Sequence, residues 1–128
     1  MKANHMPTVL VIDDDDLIRK MISTMLKKSG FTVMEAENGN KGMELLKGNI
    51  KPDLVITDIL MPDKEGLETI SEIRALMPTI KIIAISGGGK KQDMTFLNLA
   101  KQVGAERVLQ KPFRPSELLN IISEIYDN

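Results

Sequence analysis

Two hydrophobic periods take turns along the chain. Thr8-Val-Leu-Val-Ile12 is an unbroken, largely β-branched run, the pattern of a strand covered on both faces. Leu17, Ile18, Met21, Ile22, Met25 and Leu26 follow at helical spacing, and Gly30 supplies a natural stop. Phe31-Thr-Val-Met34 predicts a second strand, and Gly42–Leu46 a short helix after an Asn38-Gly39 turn, with Met43 and Leu46 facing inward. A third buried strand, Asp53-Leu-Val-Ile-Thr57, opens behind Pro52. The helix from about Glu65 carries Leu67, Ile70, Ile73, Leu76 and Met77 and ends at Pro78. Lys81-Ile-Ile-Ala-Ile85 is the fourth strand. Met94, Leu97, Ala100 and Val103 mark the fourth helix, closed by Gly104. Arg107-Val-Leu-Gln110 is the fifth strand, and Leu118, Leu119, Ile122 and Ile125 give the last helix an apolar face.

A strand followed by a helix, repeated along the chain, implies a parallel sheet, because each crossover returns the chain to the same edge direction. Right-handed crossovers then put helices on both faces. The expected fold is α/β: one doubly wound five-stranded parallel sheet with five helices, over residues 8–126. Residues 1–7 show no periodicity and are expected to be a disordered leader or cloning remnant, with no role for His5. No output domain is expected within the chain.

Composition narrows the chemistry. The chain has 128 residues, of which 42% are hydrophobic and 27% charged, enough for one cored domain and too few for two. A net charge of -1, from 17 basic and 18 acidic residues, gives no global field toward nucleic acid or an anionic membrane. No apolar run is long enough to cross a bilayer and no signal-peptide pattern opens the chain, so a cytoplasmic location is expected. With no cysteines, any metal must be held by oxygen ligands or by His5.

The unusual side chains gather at one end of the strands. The first predicted strand runs into Asp13-Asp14-Asp15-Asp16, the third into Asp58, the fourth into Ser86 and the fifth into Lys111. Doubly wound sheets bind ligands in the crevice at the carboxyl ends of their strands. Clustered carboxylates repel unless a cation neutralises them, and an all-oxygen set suits Mg2+ or Mn2+. A carboxylate can attack phosphorus, and phosphoryl transfer then depends on alignment and on neutralising the equatorial oxygens, which a metal and Lys111 can share. Ser86 can donate a hydrogen bond from a third direction. Asp15 and Asp16 read instead as the charged start of a helix.

At these residues the chain resembles the receiver domain of two-component response regulators, over essentially all of 8–126. The matching pieces are Val-Leu-Val-Ile-Asp13-Asp14, Pro52-Asp-Leu-Val-Ile-Thr-Asp58-Ile-Leu-Met-Pro62 with Gly66, Ile-Ala-Ile-Ser86-Gly87, and Lys111-Pro112-Phe113. The resemblance implies a flavodoxin-like strand order 2-1-3-4-5. It implies that Asp58 accepts phosphate from a histidine kinase or histidine phosphotransfer protein. It further implies metal held by Asp14 directly, by Asp13 largely through water, by Asp58 and by the backbone carbonyl of Leu60. Ser86 matches the hydroxyl that follows the phosphoryl group, Lys111 the lysine that pairs with it, and Lys111-Pro112 a cis peptide. Partner binding would change through the fourth helix, fifth strand and fifth helix, toward an unknown effector, with no direct nucleic-acid or membrane contact.

Two positions depart from the pattern. Val108 stands where the family often carries an aromatic switch residue, and Gly87-Gly88-Gly89 makes a loop expected to be loose before phosphorylation and ordered after it. Pro62 and Gly66 read as backbone devices. The first helix has an apolar stripe wider than one buried face needs, so Ile18 and Met21 serve either a partner's helical bundle or the core alone. The competing functions are a Mg2+-dependent phosphohydrolase with an Asp nucleophile, and an unphosphorylated interaction domain. Such hydrolases usually carry the nucleophile after the first strand, and the complete acidic and lysine set argues against the second.

Overall fold

The computed structural model describes residues 7–59, 66–86 and 94–126. Strand and helix alternate as β1 (Thr8–Ile12), α1 (Asp16–Lys28), β2 (Thr32–Ala36), α2 (Gly39–Leu46), β3 (Leu54–Asp58), α3 (Gly66–Leu76), β4 (Lys81–Ser86), α4 (Met94–Val103), β5 (Arg107–Gln110) and α5 (Pro115–Tyr126). All strand pairs are parallel, and the order is β2-β1-β3-β4-β5. The direction of winding reverses between β1 and β3, which opens a crevice at their carboxyl ends.

Period-two alternation along each strand divides the core into two layers. Val9, Val11, Leu54, Ile56, Ile83 and Ile85 face α1 and α5, packing on Ile22, Leu26, Leu118 and Ile122. Leu10, Ile12, Val55, Ile82 and Ala84 face the other way, against Leu46 of α2, Ile70 and Ile73 of α3, and Ala100 of α4. Each fully buried Leu or Ile contributes roughly 1.5–3 kcal/mol of transfer free energy.

Helix ends explain where the predicted boundaries move. Beyond α1, Phe31 N–H donates to Leu26 O and Gly30 N–H to Lys27 O, with Gly30 at φ 97, a paired closure that needs a left-handed residue. Phe31 thus closes α1 rather than opening β2, which starts at Thr32 and runs to Ala36 instead of ending at Met34. Asn38 is the N-cap of α2, its side chain accepting from Lys41 N–H, so that helix begins at Gly39 rather than Gly42. Asp53 precedes β3: its N–H donates to Thr8 O and its carboxylate accepts from Thr8 N–H, leaving Asp58 as the last strand residue. Pro7, assigned to the leader from the sequence, is buried and accepts from Thr32 N–H. Residues 1–6, with His5, lie outside the described residues.

Candidate functional site

Asp13 follows β1 directly and is almost wholly buried. Its N–H donates to Ala36 O at 3.1 Å, and its Oδ1 accepts from Asp15 N–H at 2.9 Å. Asp15 in turn caps α1, accepting from Leu17 and Ile18 N–H. The helix-start reading of Asp15 and Asp16 agrees with this geometry. Asp14, between cap and strand, is exposed.

Asp58 closes β3 on the neighbouring strand and is also buried. The chain beyond it is tied to β4 by Ile59 N–H donating to Ile85 O, and to α3 by Gly66 N–H donating to Ile59 O. A Cβ at Gly66 would stand 2.1 Å from Ile59 Cα and 2.6 Å from Asp58 O, so α3 approaches the Asp58 backbone as only glycine permits. The backbone role assigned to Gly66 is therefore a steric one.

Lys111 lies one residue past β5. Its N–H donates to Ser86 O at 2.9 Å, joining it to the end of β4, and the Lys111–Pro112 peptide is cis, as the resemblance implies. Its Nζ lies 3.1 Å from Asp58 Oδ2 and 3.3 Å from Asp13 Oδ2. Carboxylate oxygens of Asp13, Asp14 and Asp58 all lie within 4.8 Å of one another. Ser86 is buried at the same edge.

Three carboxylates against one ammonium leave the cluster with an excess of negative charge. Burial pushes the Asp13 carboxyl above its ordinary range; the Asp15 N–H and Lys111 pull it down without cancelling that, and Asp58 pushes it further up. Burial alone would lower Lys111, yet the Asp58 and Asp13 carboxylates overcome it and hold the ammonium above its usual value. Asp13 has each oxygen already engaged by a donor, while Asp14 faces solvent. A hard divalent cation fits this donor set: it would relieve the repulsion and take oxygen ligands from the exposed side.

A second network, behind the acidic cluster, was not legible from sequence. Arg19 of α1 donates from Nη1 to Asp13 O at 2.7 Å, from Nη2 to Asp16 Oδ1 at 2.6 Å and from Nε to Glu35 Oε1 at 3.3 Å. Ser23 Oγ donates to Glu35 Oε2, and Lys20 pairs with Oε1. Burial pushes Glu35 up, but hydrogen bonds from Ser23, Lys20 and Arg19 more than offset it, so the carboxyl sits below its ordinary value. Glu35 lay just past the strand expected to end at Met34, so nothing in the sequence marked its charge as part of the sheet.

Ile18 is half-buried against the α1 layer, and Met21 is exposed. Together with Lys111, Pro112 and Phe113 they line an apolar groove beside the acidic cluster. Leu17, read from the sequence as part of the apolar stripe of the first helix, is the most exposed large apolar residue among those described, at 80%. Val108 sits opposite Ala84 in the β4–β5 register and packs on the α4 layer. Leu60, Pro62 and Gly87 lie outside the described residues. Among those described, no helix is long and apolar enough to cross a membrane.

Residues 9–123 match the family model of the response regulator receiver domain. The chemotaxis protein CheY of Thermotoga maritima is 35% identical over 118 residues, covering 91% of this chain and 95% of that protein. CheY of Bacillus subtilis is 36% identical over 117 residues, covering 91% and 94%. A crystal structure of a response regulator receiver domain protein from Clostridium thermocellum superposes with a TM-score of 0.86 at 30% identity, covering 95% of each chain. These matches do not favour the phosphohydrolase alternative. The chain belongs to the response regulator receiver domain family and is a phosphoryl-accepting switch of that class.

Proposed function

We propose that Asp58 is the phosphoacceptor and that the donor is a phosphohistidine on a histidine kinase or histidine phosphotransfer protein. One observation carries the assignment: Asp58 is the buried carboxylate that shares the 3.1 Å contact with Lys111 and the acidic cluster with Asp13 and Asp14. An Asp58 carboxylate oxygen forms the new P–O bond as the P–N bond of the phosphohistidine breaks and the imidazole leaves. Lys111 faces the equatorial oxygens, and the Ser86 hydroxyl donates to one of them. Asp14, Asp58 and the Leu60 carbonyl would hold Mg2+ or Mn2+, with Asp13 acting through water. The bound ion supplies charge neutralisation at the transferred group.

The apolar groove at Ile18 and Met21, beside Phe113, lies next to this chemistry and suits an apolar helix of the donor protein. Phosphorylation then biases a two-state equilibrium read by an effector on the α4-β5-α5 face. Val108 implies that this readout works without an aromatic ring at that position. The receiver unit spans 8–126, acts in the cytoplasm, and contacts neither nucleic acid nor membrane directly. Its only catalysis is of its own phosphorylation and dephosphorylation.

Borohydride reduction of the protein after treatment with acetyl phosphate and Mg2+ tests the assignment, since an aspartyl phosphate is reduced to homoserine. Peptide mass mapping is expected to find homoserine at position 58. Homoserine at 13 or 14 contradicts it.

A further inference from the structure

Arg19 offers its donors in three directions at once, and one of them reaches the backbone of the acidic cluster rather than a side chain. Nη1 meets Asp13 O at 2.7 Å, while Nη2 and Nε are held by Asp16 and Glu35. Glu35 is itself fixed from two further sides by Ser23 and Lys20, and lies in register with Val11 on the adjoining strand. The Arg19 side chain is 11% exposed, so the fork is held in place rather than solvated. The Asp13 carbonyl and the Asp14 N–H belong to one rigid peptide plane. Fixing that carbonyl sets the plane from which the Asp14 side chain departs, and Asp14 is the exposed carboxylate of the cluster. Asp13 N–H and Asp13 Oδ1 are pinned to Ala36 and Asp15, which leaves the carbonyl as the remaining handle on this turn.

We propose that Arg19, braced by Glu35, is a positioning residue for the cation site: it sets the orientation of the Asp13–Asp14 peptide and thereby the affinity for Mg2+. The proposal rests on the reading of Asp13, Asp14 and Asp58 as the metal cluster. Charge and position make opposite claims here. Removing a cation close to a cation site raises Mg2+ affinity on electrostatic grounds alone. Losing the orientation of the ligand-bearing turn lowers it, as loss of an outer-shell partner does, by about tenfold.

The test is calorimetric titration of the unphosphorylated full chain with MgCl2, on wild type, Arg19→Lys, Arg19→Ala and Glu35→Gln, with melting temperature followed alongside. Arg19→Lys keeps the charge but cannot make the three-way fork. It is expected to weaken Mg2+ binding about tenfold, Glu35→Gln less so, and saturating Mg2+ is expected to restore the phosphorylation rate of Arg19→Lys. Arg74→Lys is the control: Arg74 holds the Pro78, Ile80 and Gly104 carbonyls and the Glu106 carboxylate, so its loss lowers the melting temperature while leaving Mg2+ affinity unchanged. Unchanged or tighter Mg2+ binding by folded Arg19→Lys, in which the charge is kept, overturns the proposal. Absence of Mg2+ binding by the wild type overturns the metal-cluster reading instead, and the proposal with it.

Discussion

Lys111 and Asp58 stand 53 residues apart in the chain, yet Nζ and Oδ2 meet at 3.1 Å across the carboxyl edge of the sheet. Asp13, 98 residues from Lys111, shares the same ammonium at 3.3 Å. The contact exists because β1, β3 and β5 are parallel and all end at the same rim. The ammonium is therefore built into the resting site, where the proposed function has it meet the charge of an incoming phosphoryl group.

On the proposed assignment, replacing it removes a fixed counter-charge from the transition state. Lys111→Met is expected to slow phosphorylation by acetyl phosphate by about a hundredfold, the cost of losing one preorganised charged donor. Adduct growth followed by mass spectrometry measures this; a rate near that of the wild type contradicts the role.

Burial makes an ionised Asp13 costly. Its folded-state pKa is raised, so the stabilisation linked to its proton is present at low pH and is lost as pH rises through the folded value. In metal-free buffer at neutral pH, Asp13→Asn is therefore expected to raise the melting temperature, by about 4 °C. Mg2+ is expected to stabilise the wild type more than the variant. Thermal unfolding in EDTA and then in excess Mg2+ checks both signs.

The glycine at position 66 has no room to change. Gly66→Ala places a methyl group against the Ile59 and Asp58 backbone, which cannot swing aside as a flexible side chain would. A loss of about 3 kcal/mol in urea unfolding is expected, together with slower phosphorylation, because the displaced backbone carries Asp58. Native stability in this variant contradicts the close approach.

Five strands, five helices and the rim where the chemistry gathers were readable from periodicity alone. Buried parallel strands have continuous apolar runs, and such runs end abruptly where Asp13, Asp58 and Lys111 begin. The boundaries that moved did so for capping reasons. Phe31 looks like a strand residue, but its N–H closes α1; Asn38-Gly39 looks like a turn, but Asn38 starts α2. Arg19 and Glu35 were invisible for a different reason. A charged residue at a helical position reads as solvated surface until the fold sets a carboxylate from the next strand against it. Leu17 was read only as one position of the wide apolar stripe on α1; that it is the most exposed of them depends on how α1 is rotated against the sheet.

Tyr126 reports on the opposite end of the sheet. Its hydroxyl donates to Asp53 O at 3.3 Å, and burial, with the Asp53 charge, raises its pKa to about 12. From about pH 10 to 12 the folded protein keeps a proton that the unfolded chain releases, so stability falls as pH rises through that window. As the single tyrosine in a chain without tryptophan, it can be titrated by phenolate absorbance alone. The midpoint is expected near 12 in the folded protein and near 10 in denaturant. Tyr126→Phe is expected to lose that part of the alkaline destabilisation.

Intact-mass analysis after incubation with acetyl phosphate, with and without Mg2+, puts the central claim to its shortest test. The wild type is expected to gain one labile phosphoryl group only when Mg2+ is present, and Asp58→Asn to gain none under either condition. An equal adduct on Asp58→Asn, or one on the wild type that forms as readily in EDTA, contradicts the account.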